Sequence, residues 1–323
     1  MPETTRGAPP ERVAPAALGT SILGGIGNTP LLRIRLFERE CPGVAVFGKA
    51  EFLNAGGSVK DRPALRMIRE GESSGALTHN RIILDSTSGN TGIAYAMVGA
   101  ALGYRVRLVM PTNVSAERKT LIAAYGAEIV YSDAQEGSDG AILLARRMHA
   151  DNRDLYFMPD QYNNPANWRA HYDGTGAEIW EQTAGTVSHF VAALGTAGTF
   201  VGVSRRLRDQ RADVVCVSVQ PEDPWHGLEG MKHMPSAIVP GIYDPDLADE
   251  NLWAPTERSY ELARELAHRE GIMVGHSSGA ALWGVGELAR RIGRGVIVTV
   301  LCDGGNRYLS SGLYGRDGGN DPG

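Results

Sequence analysis

Short apolar blocks alternate with longer amphipathic stretches through most of the chain. Residues 44–53, 81–85, 105–110 and 128–131 read as strands, while 64–69, 93–102, 115–125 and 137–151 carry helical spacing. Strand and helix in this alternation predict a parallel sheet with covering helices. A polar, turn-rich stretch at 160–167 separates this series from a second one. There the pattern predicts helix 174–182, strand 189–194, helix 200–209, strand 214–219, helices 256–270 and 280–292, and strand 296–302. Residues 21–34 form a turn leading into a short strand, and 220–254 show no clear periodicity. A connector that long points to a functional role. The expected architecture is α/β, two units with a cleft between them.

Composition narrows the class. The 323 residues, 42% hydrophobic and 21% charged, suit a globular protein of about two domains. A formal charge of −5 offers no basic footprint for nucleic acid. Cys41, Cys216 and Cys302 lie far apart without a CxxC pair, and no HExxH spacing occurs among eight histidines. Neither a disulfide scaffold nor a metal site is expected, and the cysteine usage points to a reducing compartment. Residues 1–20, rich in Pro, Ala, Glu and Arg without an apolar core, read as a flexible arm rather than a signal peptide. Residues 315–323 read as a flexible tail. No apolar run is long enough to span a bilayer, so a cytoplasmic location is expected.

The chemistry centres on residues 54–63, where a Gly56-Gly57 turn joins a strand to a helix. Ser58 or Asp61 can cap that helix, and Pro63 suits its first turn. Lys60 then sits at a helix N-terminus, where the macrodipole disfavours an ammonium. Such a place suits a lysine that acts as a nucleophile, although a solvated lysine in a capped turn has the same pattern. Gly195-Thr196-Ala197-Gly198-Thr199 links an apolar strand to a helix, a loop suited to a phosphate ester and equally to a tight turn. Thr87-Ser88-Gly89-Asn90-Thr91 and Gly275-His276-Ser277-Ser278-Gly279 are hydroxyl-rich and can either bind a ligand or cap helices. Gly43 to Ala50 nearly matches a P-loop, but Ala50 replaces the required hydroxyl and the segment reads as strand. No GxGxxG follows a strand. Taken together, an amine, a phosphate cradle and polar loops at strand ends describe a phosphorylated cofactor bonded to lysine. Pyridoxal 5′-phosphate fits that description.

Gly27-Asn28-Thr29-Pro30-Leu31, Gly57 to Arg62, Thr87 to Gly92, Asn164 to Asn167, Gly195 to Thr199 and Gly304 to Ser310 occur in this order. Together they resemble the cysteine synthase/cystathionine β-synthase family of fold-type II pyridoxal-phosphate enzymes. Val219 to Glu222 and Pro240 to Tyr243 are most similar to the B-type O-acetylserine sulfhydrylases. The resemblance implies a tryptophan synthase β-like fold of two three-layer α/β/α domains around a cofactor cleft. Residues 54–160 would be the smaller, mobile domain, and 21–53 plus 161–314 the larger. Lys60 would bond covalently to the cofactor and act as the catalytic base. Asn90 would bind the ring oxygen, Gly195, Thr196, Gly198 and Thr199 the phosphate, and Ser277 the ring nitrogen. Thr87, Ser88, Thr91 and Gln161 would bind the substrate carboxylate. Lys232 and His233 are the nearest basic candidates to hold the phosphate of a phosphorylated substrate.

The implied reaction is β-replacement of O-acetyl-L-serine, or of O-phospho-L-serine, by sulfide through an aminoacrylate intermediate, giving L-cysteine. Cystathionine β-synthase activity, serine/threonine dehydratase activity, or a non-catalytic regulatory role are the alternatives. The resemblance also implies a homodimer and a complex with serine acetyltransferase. Three departures stand out from the family pattern: Ala197 in the phosphate loop, expected to spare binding, His276 beside Ser277, and Lys232-His233-Met234.

Overall fold

The computed structural model describes residues 21–87 and 89–315. The expected arm 1–20, residues 316–323 of the expected tail, and Ser88 lie outside the described residues. The chain enters the fold through β1 (Leu31–Ile34), antiparallel to β2 (Val44–Ala50). The Lys60 turn leads into α1 (Asp61–Ser73), then β3 (Ile82–Ser86), α2 (Asn90–Leu102), β4 (Arg105–Pro111) and α3 (Ala116–Ala124). Next come β5 (Glu128–Ser132), α4 (Gly137–Asp151) and the two-residue β6 (Tyr156–Phe157). These four strands make a wholly parallel sheet in the order β5-β4-β3-β6. The rest of the chain supplies α5 (Pro165–Ala170), α6 (Ala177–Gln182), β7 (His189–Ala193), α7 (Gly198–Gln210), β8 (Val215–Pro221) and β9 (Glu250–Ala254). It finishes with α8 (Thr256–Glu270), α9 (His276–Ile292) and β10 (Gly295–Leu301). The second sheet runs β1-β2-β10-β7-β8-β9 and is parallel except for β1.

Alternation along the strands shows that both sheets are covered on both faces. Val191, Val217, Ile297 and Leu301 join one apolar cluster. Their strand neighbours Phe190, Ala192, Cys216, Val298 and Val300 join another. Successive strand side chains point to opposite faces, so the two clusters sandwich the larger sheet. In the smaller sheet Ile83, Leu108 and Met110 pack on one side. Ile82, Leu84 and Val109 pack on the other. Two α/β/α units result, and the strands read as nearly continuous apolar runs because water reaches neither face. The seam between them is packed: Leu23 and Ala166 share the cluster of Ile83 and the α2 side chains.

Several boundaries differ from expectation. The helix expected at 280–292 starts at His276, so the hydroxyl-rich loop is its first turn. The helix expected at 174–182 is the end of a longer helical run, which starts as α5 at Pro165, passes through a π-turn at His171–Gly176 and finishes as α6. That π-turn lies against α7, where a Cβ on Gly202 would collide with His171 Cβ and Tyr172 N. Strand β9 emerges within 220–254, and β6 was not expected. Lys49 is fully buried in β2 and ion-paired with Glu178 at 2.6 Å, which agrees with rejecting the P-loop reading.

Candidate active site

The Lys60, Thr87 and Gly195 segments follow the C-terminal ends of β2, β3 and β7, where open α/β sheets bind ligands, while Ser277 is brought in by the first turn of α9. One cleft is lined by Lys60, Thr87, Asn90, Thr91, Gln161, Gly195, Thr196, Thr199, Lys232 and Ser277. Ten of the expected site residues therefore converge, although the sequence separates them by up to 217 positions (277 − 60). Gly198 opens α7 beside the cradle, and Ser88 lies outside the described residues.

Lys60 is itself the N-cap of α1 and receives no side-chain cap. This corrects the expectation that Ser58 or Asp61 caps the helix. Ser58 Oγ accepts from Lys60 N at 3.2 Å, and Asp61 Oδ2 accepts from Gly56 N at 2.6 Å. Both side chains fasten the turn rather than the helix. Gly57 sits at φ +79°, a conformation that glycine adopts without a Cβ clash. Asn54 Nδ2 ties the turn to Glu51 Oε2 at 2.7 Å and to Ser58 O at 3.1 Å. Arg62 in turn bonds Glu51 and Glu178. Burial pushes the Asp61 carboxyl up to about 6, against the Gly56 N–H and the Arg307 charge.

At the loop expected to hold a phosphate, a Cβ on Gly195 would meet Gly230 O, and one on Gly198 would meet Asn167 Oδ1. Only backbone fits at these two positions. Ala197 between them has φ +67°, so a residue with a Cβ occupies the left-handed region. Thr196 Oγ1 accepts from Asn167 Nδ2 at 3.1 Å, and Thr199 Oγ1 lies 3.3 Å from His171 Nε2. Burial, helped by the Arg62 and Lys60 charges, holds His171 well below its ordinary pKa. His171 is thus neutral, and the cradle relies on hydroxyls and the first N–H groups of α7.

Thr87 Oγ1 accepts from Gly89 N and Gly92 N, both at 3.0 Å, and so caps α2. Thr91 Oγ1 donates to Gln161 Oε1 at 2.8 Å, and Gln161 Nε2 donates to Ser86 O at 2.7 Å. Asn90 opens α2 with its amide between Asp303 and Arg307. Cys302 follows β10 into the cleft; burial first, against the Lys60 charge, raises its thiol to about 11. His276 is buried between the rings of Tyr260 and Tyr308 rather than in the cleft lining, and burial lowers its pKa. Lys232 Nζ pairs with Asp139 Oδ1 at 2.9 Å and lies 5.3 Å from the Tyr162 ring centre. Arg118 pairs with Glu229 and lies over the Tyr308 ring.

An amine and a phosphate-sized backbone cradle in one cleft fit a phosphorylated aldehyde. The family model described as "Pyridoxal-phosphate dependent enzyme" matches residues 22–303. The chain belongs to this family. Like other pyridoxal-phosphate dependent enzymes, it takes pyridoxal phosphate as its cofactor. It is 49% identical over 300 residues to a cysteine synthase of Aquifex aeolicus, covering 91% of this chain and 92% of that one. It is 44% identical over 292 residues to cysteine synthase B of Salmonella typhimurium, covering 90% and 95%. Among solved structures, an O-ureido-L-serine synthase superposes with a TM-score of 0.87 at 37% identity, over 94% of this chain and 98% of that one. The fold-type II architecture follows.

Sequence reasoning missed Asn167, His171, Asp303, Arg307, Tyr308, Arg118 and Glu229 as neighbours of the site. Asn167, Arg307 and Tyr308 lie inside quoted motifs, which was their one visible signal. Their roles depend on contacts that spacing does not encode.

Proposed function

We propose that this protein is a cysteine synthase that replaces the acetate of O-acetyl-L-serine with sulfide. The observation that carries the reading is the meeting of Lys60 with the Gly195–Thr199 cradle and the Thr87–Gln161 polar wall in one cleft. Gly195, Thr196, Gly198 and Thr199 would hold the cofactor phosphate, Asn90 the ring oxygen and Ser277 the ring nitrogen. Bound pyridoxal phosphate supplies an aldehyde for amine attachment and a conjugated ring that accepts the electron pair released at the substrate Cα. Lys60 Nζ would hold the cofactor in the resting enzyme and, when not bonded to it, would remove the Cα proton and later return it. Thr87, Ser88, Thr91 and Gln161 would bind the α-carboxylate. That contact would draw unit 54–160 toward 21–53 plus 161–314 and exclude water from the reacting carbon. Acetate leaves from Cβ, sulfide adds there, and L-cysteine departs.

The choice of leaving group rests on Lys232. Its charge is already offset by Asp139 at 2.9 Å, which leaves less of it for a substrate phosphate. Initial rates on O-acetylserine are expected to exceed those on O-phosphoserine at least about tenfold, equivalent to ~1.4 kcal/mol. The reverse preference would overturn this choice. Lys60→Ala is expected to abolish turnover, and near-normal activity in that variant would remove the assignment. Among the described residues no helix is long and apolar enough to cross a membrane. A cytoplasmic location, a homodimer and a complex with serine acetyltransferase belong to the same proposal and rest on the family resemblance.

A further inference from the structure

Asn90 is held at both ends of its amide. Arg307 Nη1 donates to Asn90 Oδ1 at 2.6 Å, and Asn90 Nδ2 donates to Asp303 Oδ2 at 2.6 Å. A guanidinium carries only donors and a carboxylate only acceptors. A flipped amide would set oxygen against carboxylate and NH2 against guanidinium, so the clamp admits one orientation. With one Nδ2 hydrogen committed to Asp303, a single amide hydrogen is left on a side chain that lines the cleft.

The clamping groups are themselves fixed. Asp303 is 1% exposed and also accepts from Tyr308 OH at 2.5 Å. Its backbone pairs with Ser58, two residues from Lys60, and accepts from Gly275 N at 3.2 Å, two residues from Ser277. Arg307 is 7% exposed, and its second terminal nitrogen bonds Gly56 O in the Lys60 turn. Segment 303–307 thus touches the lysine turn, the start of α2 and the approach to α9.

We propose that Asp303 and Arg307 are positioning residues that lock the Asn90 amide, so that an N–H and not the carbonyl meets the cofactor's ring oxygen. The inference rests on the reading that Asn90 faces that oxygen. An anionic oxygen is stabilised by a donor and repelled by a carbonyl, so the orientation decides the sign of the contact. Neither clamping residue touches the cofactor in this account; both act through Asn90.

A double-mutant cycle separates this from a general structural role. Pyridoxal phosphate affinity is measured by fluorescence titration of the resolved full chain, and the visible band is recorded on the holoenzyme. N90A is expected to weaken cofactor affinity about tenfold, or ~1.4 kcal/mol, and to move the band. D303N alone should do the same, because its amide no longer dictates the Asn90 orientation. In the N90A background D303N should change affinity less than about twofold and leave the band in place. Equal losses from D303N in both backgrounds would overturn the clamp while leaving Asn90 its role. Unchanged affinity and spectrum in N90A would overturn the underlying reading and the clamp together. If D303N does not fold, R307K runs the same cycle. The clamp then predicts a larger loss beside Asn90 than in N90A, and equal losses again contradict it.

Discussion

Ala197 shows how much one backbone angle decides in the Gly195–Thr199 loop. Its departure from the family pattern was legible in the sequence, but its consequence was not. At φ +67° a Cβ lies close to the neighbouring carbonyl, at roughly 1–2 kcal/mol relative to glycine, part of which returns because alanine restricts the unfolded chain. Ala197→Gly is therefore expected to raise stability by about 0.5–1 kcal/mol in denaturant titration, with cofactor affinity unchanged or slightly improved. A loss of stability would show that the angle is not strained. Gly198→Ala should act oppositely, since its Cβ would run into Asn167 Oδ1 and displace the Thr196 contact. Lys60, Asn90 and Ser277 could be nominated as candidates because their residue types suit the chemistry. Asp303 and Arg307 could not, because what matters there is which atom of Asn90 each one faces.

Among the elements, α8 matched its expected span because its signals are local. Leu262, Ala263 and Leu266 form the buried stripe, and Gly271 at φ +69° ends the helix. The irregularity between α5 and α6 was only half legible: Gly174 and Gly176 mark it in the sequence, but the close approach of α7, where a Cβ on Gly176 would meet Arg206, is a tertiary contact. Helix α1 carries a pH-dependent prediction. The folded Asp61 carboxyl titrates at about 6, above its ordinary 3.8, because burial disfavours the charge. The native state then binds more protons than the unfolded chain between those values. The Asp61 contribution is fully present below about pH 4 and is lost as pH rises through 6. Burial likewise raises Asp85 to about 7, and its contribution declines over the corresponding window up to pH 7. Thermal melts of the native protein and Asp61→Asn should diverge as pH rises from 4 to 6, the native protein losing more stability. Parallel curves across that window would contradict the raised value.

At the scale of the molecule, two ion pairs reach across the cleft. Arg118 on α3 meets Glu229, and Asp139 on α4 meets Lys232, with Glu229 and Lys232 both in the stretch 220–254 that lacks clear periodicity. The segment's length singled it out in the sequence, whereas its charge pairing with the smaller sheet's helices was not legible there. Breaking a tie should loosen the contact between the two units without touching the reacting atoms. Glu229→Gln is expected to raise the KM for O-acetylserine about two- to fivefold with little change in kcat, an effect within the ~1 kcal/mol of partly exposed pairs. The difference should shrink as salt rises. A large fall in kcat at unchanged KM would instead place Glu229 in the chemistry.

The most direct test of the account is the visible absorption of the holoenzyme during one cycle of substrate additions. Pyridoxal phosphate should give the native protein a visible band whose carbonyl attachment Lys60→Ala cannot form. O-acetyl-L-serine should convert that band with release of one equivalent of acetate, and sulfide should restore it with one equivalent of L-cysteine. A band that ignores O-acetyl-L-serine, or that recovers without cysteine, would contradict β-replacement at Lys60.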